Sequence, residues 1–227
     1  MTRTLVLDLD GTLVDSVPDL AAAMNRLMQS RGLATFAEAE IAAMVGDGVA
    51  VLLARAFAAR GGVPDAASVA AYTADYRAHV AVGSRLYPGV AETLGNLAAS
   101  GWRLAVCTNK PEAPARALLA ALGVADRFAA IGGGDSFPVR KPDPGHLLAT
   151  LAQAGGAREA AVMAGDHAND LAAARRAGIP GIFAAWGYGG ADSARGAAAV
   201  ARSFAELPGI AAALVGGDSN PSGGGRG

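Results

Sequence analysis

Short apolar runs alternate along the chain with longer segments in which apolar residues recur at helical spacing. The first run, Leu5-Val6-Leu7, is continuously apolar, as in a strand that is buried on both faces of a sheet. Similar runs occupy residues 103–107, 129–132, 160–164, 181–185 and 198–201. Helical periodicity follows most of them, at 90–100, 112–122, 144–154 and 169–177. This alternation predicts an α/β fold with a doubly wound parallel sheet.

Residues 16–85, here called the cap segment, break this alternation. We find no convincing strand between residues 35 and 82. Apolar spacing predicts helices at 17–31, 36–45, 49–60 and 66–82. Ser16 precedes the first of these helices and is the expected N-cap. The cap segment is therefore expected to be a small helical domain.

The domain organisation follows from these patterns. Residues 1–15 and 86–215 are expected to form one α/β core, into which the helical cap at 16–85 is inserted. The last residues, 216–227, are rich in glycine and serine and are expected to form a flexible tail. There are no internal repeats that would indicate a solenoid.

Composition narrows the class of protein. Apolar residues make up 52% of the 227 positions and charged residues 17%, so the chain can bury a core. A net charge of −1 without a basic stripe argues against a nucleic-acid partner. We find no signal peptide or membrane-spanning stretch, and the single cysteine, Cys107, cannot form an internal disulfide. We expect a cytoplasmic protein without a membrane partner, either a monomer or a homodimer.

The first predicted strand ends in two carboxylates. Asp8 and Asp10 lie two positions apart, so their side chains share one face of an extended chain. Two acids held together repel each other unless a cation or a shared proton relieves the repulsion. Gly11 and Thr12 come next and supply a turn and a hydroxyl beside the pair. This pentapeptide is the strongest chemical signal in the chain.

Further polar groups follow other predicted strands or lie in loops close to them. They are Thr108, Asn109, Lys110, Lys141, Asp166 and Asp170. Taken singly, each could be a turn residue, a helix cap or a solvated side chain. The carboxyl ends of parallel strands line one edge of a sheet, where ligands bind. We therefore expect these groups to meet Asp8 and Asp10 at that edge.

Lysine is scarce in this chain. Of 19 basic residues, 17 are arginine, and only Lys110 and Lys141 are lysine. Chance could produce this bias. The alternative is that both positions need a compact ammonium instead of a planar guanidinium, as a point-charge contact to a carboxylate or phosphate would require.

This set of groups suits phosphoryl transfer. Three acids can hold one Mg²⁺ through oxygen ligands and leave positions for water and a phosphate oxygen. A carboxylate beside the cation can act as nucleophile, and a second can act as general acid and then general base. A hydroxyl, an amide and a lysine can bind the equatorial oxygens of the phosphoryl group.

The chain resembles phosphatases of the haloacid dehalogenase superfamily, and within it the phosphoglycolate phosphatase group that has a small helical cap. The resemblance covers residues 3–214. It rests on four motifs in order, Asp8-Leu9-Asp10-Gly11-Thr12, Thr108-Asn109, Lys141-Pro142 and Gly165-Asp166 with Asp170. It implies a Rossmann-like core with an inserted cap, Mg²⁺ as cofactor and an aspartyl-phosphate intermediate.

The resemblance also implies a role for each motif. Asp8 would attack phosphorus, and Asp10 would protonate the leaving alkoxide and later activate water. Asp8, the backbone carbonyl of Asp10, and Asp166 would hold Mg²⁺. Asp170 and Thr12 would support this arrangement. The phosphate ligands would be Thr108, Asn109 and Lys141.

Five residues are candidates for contacts to the rest of the substrate. They are Gly46, Asp47, Arg55, Lys110 and His167. Gly46 and Asp47 lie in a loop that resembles the specificity loop of this family's caps. Arg55 could bind a substrate carboxylate, although a solvated or cap-stabilising arginine fits the sequence equally well. His167 stands where this group commonly has serine, and it is either a tolerated loop residue or a source of pH sensitivity.

The expected function is Mg²⁺-dependent hydrolysis of a small phosphomonoester, with 2-phosphoglycolate as the leading substrate. The alternatives are another small phosphate ester, pyrophosphate, or a phosphosugar mutase of the β-phosphoglucomutase kind. The cap segment contains no lysine, which disfavours phosphonate hydrolysis through a Schiff base. A binding protein without catalysis is disfavoured by the complete set of acid and phosphate-binding groups.

Overall fold

Strands of the protein form two sheets. In this computed structural model, which describes residues 1–216, they are β1 (Thr4–Leu7), β2 (Val14–Asp15), β3 (Arg85–Leu86), β4 (Arg103–Cys107), β5 (Ala130–Gly132), β6 (Ala161–Gly165), β7 (Gly181–Ala184) and β8 (Ala199–Ala201). Six strands form a sheet in the order β5-β4-β1-β6-β7-β8, in which every pairing is parallel. The predicted α/β fold with a parallel sheet is confirmed. Of the tail expected at 216–227, residues 217–227 lie outside the described part of the chain.

Helices cover both faces of this sheet. They are α1 (Val17–Ser30), α2 (Glu38–Ala42), α3 (Val49–Ala59), α4 (Ala66–Ala78), α5 (Val90–Ala99), α6 (Glu112–Ala121), α7 (Pro144–Gln153), α8 (Ala168–Ala177) and α9 (Leu207–Gly216). Apolar residues of α5, α6 and α9 share one buried cluster with the sheet, and those of α7 and α8 share another. Among residues 1–216, no helix combines the length and the apolar character that crossing a membrane requires.

Strand β1 lies at the centre of the sheet because its side chains are apolar on both faces. Leu5 and Leu7 pack in the cluster beneath α5 and α6, whereas Val6 packs in the cluster beneath α7 and α8. All three are fully buried. Continuous apolar runs are typical of parallel strands covered on both sides, and this is why the run was recognisable in the sequence.

The register of the sheet aligns three strand ends. Leu7 lies opposite Val106 of β4 and opposite Ala164 of β6. The residues that follow these strands therefore emerge at the same edge. The backbone N–H of Asp8 still donates to the carbonyl of Ala164 at 2.9 Å, so the first candidate acid is held by the sheet itself.

A small antiparallel ribbon joins the cap segment to the core. It is formed by β2 and β3, with Val14 opposite Leu86 and Asp15 opposite Arg85. Sequence reasoning missed both strands, since a two-residue strand carries no periodic signal. Within the cap segment, α1, α2, α3 and α4 share a buried apolar cluster that is separate from the two clusters against the sheet.

Two helix predictions for the cap segment were wrong in detail, and a third prediction, Ser16 as the N-cap of α1, holds for its position but not for its side chain. The helix expected at 36–45 is the single short helix α2, and the helix expected at 66–82 ends at Ala78. Ser16 makes no side-chain capping bond to α1. Its hydroxyl donates instead to the Asp10 carboxylate, six positions earlier in the chain, at 2.5 Å.

His146 on α7 gives the fold a pH-dependent stability. It is fully buried and accepts a hydrogen bond from the Lys141 N–H at 3.2 Å. Burial, reinforced by the charge of Lys141, lowers the pKa of His146 from 6.5 to about 4. Because the unfolded chain takes up the proton first, stability is complete above pH 6.5 and is lost as the pH falls toward 4.

Between pH 7 and pH 5, His146 is therefore expected to remove about 2 kcal/mol from the free energy of unfolding. A His146→Gln variant cannot take up this proton, so its stability should fall less over the same range. Urea denaturation of both proteins at each pH measures the difference. Parallel pH dependences of the two proteins would contradict the assignment.

Candidate active site

Asp8 lies buried at the end of β1, beside the ammonium of Lys141. The Lys141 Nζ is 2.8 Å from Asp8 Oδ1, 2.6 Å from Asp170 Oδ1 and 2.6 Å from the carbonyl oxygen of Cys107. The ammonium donates hydrogen bonds to Asp170 and to the Cys107 carbonyl, and its contact with Asp8 is an ion pair. Burial alone would lower the pKa of Lys141, but the charges of Asp170 and Asp8 outweigh burial and raise it.

Three buried carboxylates, here called the acidic triad, surround this point. Oxygen atoms of Asp8, Asp166 and Asp170 lie within 4.8 Å of one another. Burial, together with the charge of Asp170, raises the pKa of Asp8 to about 7, although Lys141 acts in the opposite direction. The triad therefore carries more negative charge than Lys141 neutralises, and a divalent cation with oxygen ligands fits it.

Asp166 is held rigidly by neighbouring donors. Its Oδ1 accepts from the Thr12 hydroxyl at 2.8 Å, and its Oδ2 accepts from the backbone N–H groups of Tyr188 at 2.8 Å and Gly189 at 3.2 Å. Burial alone would raise the pKa of Asp166, but the His167 ring and these hydrogen bonds lower it. Asp166 is thus ionised and oriented toward the other acids.

The turn after β1 needs glycine. Gly11 has a φ of +85°, in the left-handed region that side chains disfavour. A Cβ at this position would also collide with the Asp166 carboxylate. Gly11 therefore lets the chain turn tightly against Asp166, and the next residue, Thr12, donates its hydroxyl to the same carboxylate.

Asp10 faces a second ammonium. Its Oδ1 accepts from Lys110 Nζ at 3.0 Å and from the Ser16 hydroxyl at 2.5 Å. Lys110 Nζ also lies 4.4 Å from the ring centre of Tyr76 in the cap segment. The Thr108 hydroxyl accepts from the Lys110 N–H at 3.1 Å, which fixes the turn after β4. Both lysines of the protein are therefore buried against carboxylates at one edge of the sheet.

A loop of the cap segment closes over this edge at Gly46. The Asn109 amide donates to the carbonyls of Gly46 and Lys141, each at 3.0 Å. Gly46 has a φ of +119°, and a Cβ there would collide with the His167 ring. Glycine is therefore required for this loop to reach the site. The predicted contact of Gly46 with substrate remains a prediction.

The His167 ring lies against the Asp166 carboxylate. Its Nδ1 lies 3.3 Å from Asp166 Oδ2. Burial would lower the pKa of His167, but the hydrogen bond and the charge of Asp166 outweigh burial and raise the pKa to about 9. Its backbone N–H donates to Asp170 Oδ2 at 2.9 Å, which places this carboxylate at the start of α8.

A cavity of about 60 Å³ lies between the sheet edge and the cap segment. Asp8, Asp10 and Lys110 line its core side, while Leu20, Tyr72 and Tyr76 belong to its cap side. The lining groups from the cap are mostly apolar. The candidate phosphoryl chemistry therefore lies on the core side of a small, partly open cavity.

Arg55 and Asp47 lie outside this lining and contact each other. Arg55 donates to Asp47 Oδ2 at 2.6 Å, and the Asn169 amide donates to Asp47 Oδ1 at 2.6 Å. The Arg55 side chain is 43% exposed. The structure thus uses Arg55 to orient Asp47 against the core, and its predicted contact with a substrate carboxylate remains untested.

Sequence reasoning missed Tyr188. Its hydroxyl donates to Asp15 at 2.7 Å and accepts from the N–H groups of Ser16 and Val17, at the start of the cap segment. Its own N–H binds Asp166. The signal available in the sequence was its place among glycines just after the strand predicted at 181–185, at the edge where Asp166 was already expected.

Comparisons with known proteins agree with this geometry. A family model described as haloacid dehalogenase-like hydrolase matches residues 2–178. A phosphoglycolate phosphatase of Rhodospirillum rubrum is 44% identical over 216 residues, which cover 91% of this chain and 90% of that protein. One of Caulobacter vibrioides is 40% identical over 210 residues, covering 90% and 89%.

Solved structures give the same result. A predicted phosphoglycolate phosphatase of Haemophilus somnus 129PT has a TM-score of 0.85 at 30% identity, covering 92% of this chain and 97% of its own. CbbY of Rhodobacter sphaeroides, solved in complex with phosphate, has a TM-score of 0.78 at 29% identity, covering 91% and 96%. The chain belongs to the haloacid dehalogenase-like hydrolase family.

Proposed function

We propose that this phosphatase is a Mg²⁺-dependent phosphomonoester hydrolase that acts through an aspartyl-phosphate on Asp8. The observation that carries the proposal is the buried contact of Asp8 with Lys141 inside the acidic triad, with Asp10 close by on the same chain segment. A nucleophile, a metal-binding set and a second carboxylate are thus present at one end of the cavity.

Asp8 is the proposed nucleophile. One of its carboxylate oxygens bonds to phosphorus as the ester oxygen departs, and the product is an acyl phosphate on Asp8. A carboxylate must be ionised to attack, and burial raises the pKa of Asp8 to about 7. The ammonium of Lys141 favours the ionised form, and a cation held by the acidic triad would favour it too.

Asp10 is the proposed acid and base. It gives a proton to the departing alkoxide and then takes one from the water that hydrolyses the acyl phosphate. Its hydrogen bonds to Ser16 and Lys110 orient it toward the cavity. Because Ser16 is the first residue of the cap segment, the position of Asp10 depends on the cap segment as well as on the core.

The acidic triad is the proposed metal site. Asp8 and Asp166, with the backbone carbonyl of Asp10, would hold Mg²⁺, and Asp170 would support them through Lys141. The cation would supply charge stabilisation for the phosphoryl oxygens. Thr108, Asn109 and Lys141 are the proposed phosphate ligands, since Lys141 contacts Asp8 and the other two line the same cavity as Asp8.

We take 2-phosphoglycolate as the substrate. Curated relatives that are 40–44% identical are named phosphoglycolate phosphatase. We also propose that residues 16–85 form a separate cap domain on the core at 1–15 and 86–215, because the four cap helices share an apolar cluster of their own.

An Asp8→Asn variant keeps the shape of the nucleophile and removes its charge. The kcat for p-nitrophenyl phosphate should fall at least about 1,000-fold. Asp126→Asn, the same substitution at an exposed acid far along the chain, should retain wild-type kcat. Comparable activity in the Asp8→Asn enzyme would rule out an aspartyl-phosphate at this residue.

A Lys141→Arg variant tests the need for a compact ammonium. We expect kcat/KM for p-nitrophenyl phosphate to fall about 100-fold or more although the charge is kept, because a planar guanidinium cannot meet the three acceptors around Nζ. Arg116→Lys, at an exposed ion pair with Glu112, is the control and should behave as wild type. Near-normal turnover in the Lys141→Arg enzyme would show that charge alone is sufficient.

A panel of phosphate esters tests the substrate. In the presence of Mg²⁺, kcat/KM for 2-phosphoglycolate should exceed that for xylulose 1,5-bisphosphate, glucose 1-phosphate and pyrophosphate at least about tenfold, since kcat/KM measures discrimination directly. EDTA should abolish the activity, and added Mg²⁺ should restore it. A higher kcat/KM for any of the other three compounds would replace 2-phosphoglycolate in this proposal.

A further inference from the structure

Helix α4 of the cap segment presents two tyrosines to the cavity. Tyr72 and Tyr76 are four positions apart, so they lie one helical turn from each other on the same face. Their rings are stacked, with centres 6.4 Å apart and planes 15° apart. Tyr72 is 1% exposed and Tyr76 4% exposed, and both line the cavity that Asp8 and Asp10 line from the core.

Neither tyrosine hydroxyl has a hydrogen-bond partner among residues 1–216. Buried phenol groups in proteins usually have one, because an unpaired buried donor is unfavourable. Other hydroxyls of the same region are satisfied, since Thr73 on the same helix donates to the Val69 carbonyl at 2.8 Å. The two orphaned hydroxyls therefore stand out on the cap side of the cavity.

Both hydroxyls are neutral donors under ordinary conditions. Burial raises the pKa of Tyr72 and of Tyr76 above the usual tyrosine value. Lys110 Nζ lies 4.4 Å from the Tyr76 ring centre and binds Asp10 on its other side. Tyr76 thus adjoins the positive charge beside the proposed acid, and Tyr72 stacks on Tyr76. Two donors next to a cation suit an acceptor oxygen that carries negative charge.

We propose that the hydroxyls of Tyr72 and Tyr76 determine specificity by donating hydrogen bonds to an oxygen acceptor on the leaving group of the substrate. For 2-phosphoglycolate this acceptor is the carboxylate, and in that form the inference rests on the proposed function. Arg55, the residue that the sequence offers for such a carboxylate, is outside the cavity lining and binds Asp47. The tyrosines occupy the position that this role requires.

The inference predicts how the enzyme treats an ester that lacks the acceptor. Ethyl phosphate has the same two-carbon leaving group as 2-phosphoglycolate, with a methyl group in place of the carboxylate. Its binding would leave both tyrosine hydroxyls unpaired. Sites built to bind a polar group reject analogues that lack it far more strongly than apolar pockets reject a change of size.

The experiment compares kcat/KM for 2-phosphoglycolate and ethyl phosphate in the wild type and in Tyr72→Phe, Tyr76→Phe and the double variant. Each substitution keeps the ring and removes only the hydroxyl. We expect the ratio of the two values to fall about tenfold in each single variant and about 100-fold in the double variant, mainly through 2-phosphoglycolate. Since both substrates are measured on the same preparation, the ratio does not depend on the fraction of folded enzyme.

Tyr87→Phe is the matched control, because Tyr87 loses the same hydroxyl but is not among the cavity-lining residues. Its ratio should equal that of the wild type. An unchanged ratio in the Tyr72 and Tyr76 variants, or an equal loss for both substrates, would overturn the inference and leave the proposed function intact.

The same experiment can also support the role of the tyrosines while it excludes 2-phosphoglycolate as the substrate. If the wild type prefers a different oxygen-bearing ester to ethyl phosphate, and the tyrosine variants lose that preference, the inference is supported while 2-phosphoglycolate is overturned as the substrate. If the wild type prefers no oxygen-bearing leaving group to ethyl phosphate, both are overturned.

Discussion

The buried ammonium of Lys141 is the interaction on which the arrangement of the site depends. It is 2% exposed and contacts Asp8, Asp170 and the Cys107 carbonyl, which belong to three different segments of the core. A buried charge is tolerated only when its partners are complete, since desolvation costs several kcal/mol per ion. Lys141 thus ties the end of β1 to β4 and to α8, and it offsets part of the repulsion among the acids.

This ion pair can form because the sheet brings the strand ends together. The shared register of β1, β4 and β6 places the groups after each strand within reach of one another. Backbone donors then fix the acids, as the N–H groups of Tyr188 and Gly189 do for Asp166. The geometry of the site is therefore a consequence of parallel pairing, and the side chains refine it.

The cap segment contacts several residues of the site directly. Its first residue, Ser16, donates a hydrogen bond to Asp10. Gly46 packs against the His167 ring, and the carbonyl of Gly46 accepts a hydrogen bond from Asn109. Tyr188 connects the same entry point to Asp166 through its hydroxyl and its backbone. Contacts of the cap segment with the core thus reach both the proposed acid and the proposed metal site.

The sequence by itself determined the strands of the core and the positions of Asp8, Asp10, Lys141 and Asp166, because continuous apolar runs and the polar groups that end them are local patterns. Only the tertiary structure decided which groups meet. It turned Ser16 from helix cap to partner of an acid, directed Arg55 to the surface, and paired β2 with β3 across the whole cap segment. It also brought the tyrosines of α4 over the cavity. The β2–β3 pairing joins residues far apart in the chain, and all of these contacts depend on how the cap segment folds and packs, for which no short stretch of sequence carries a signal.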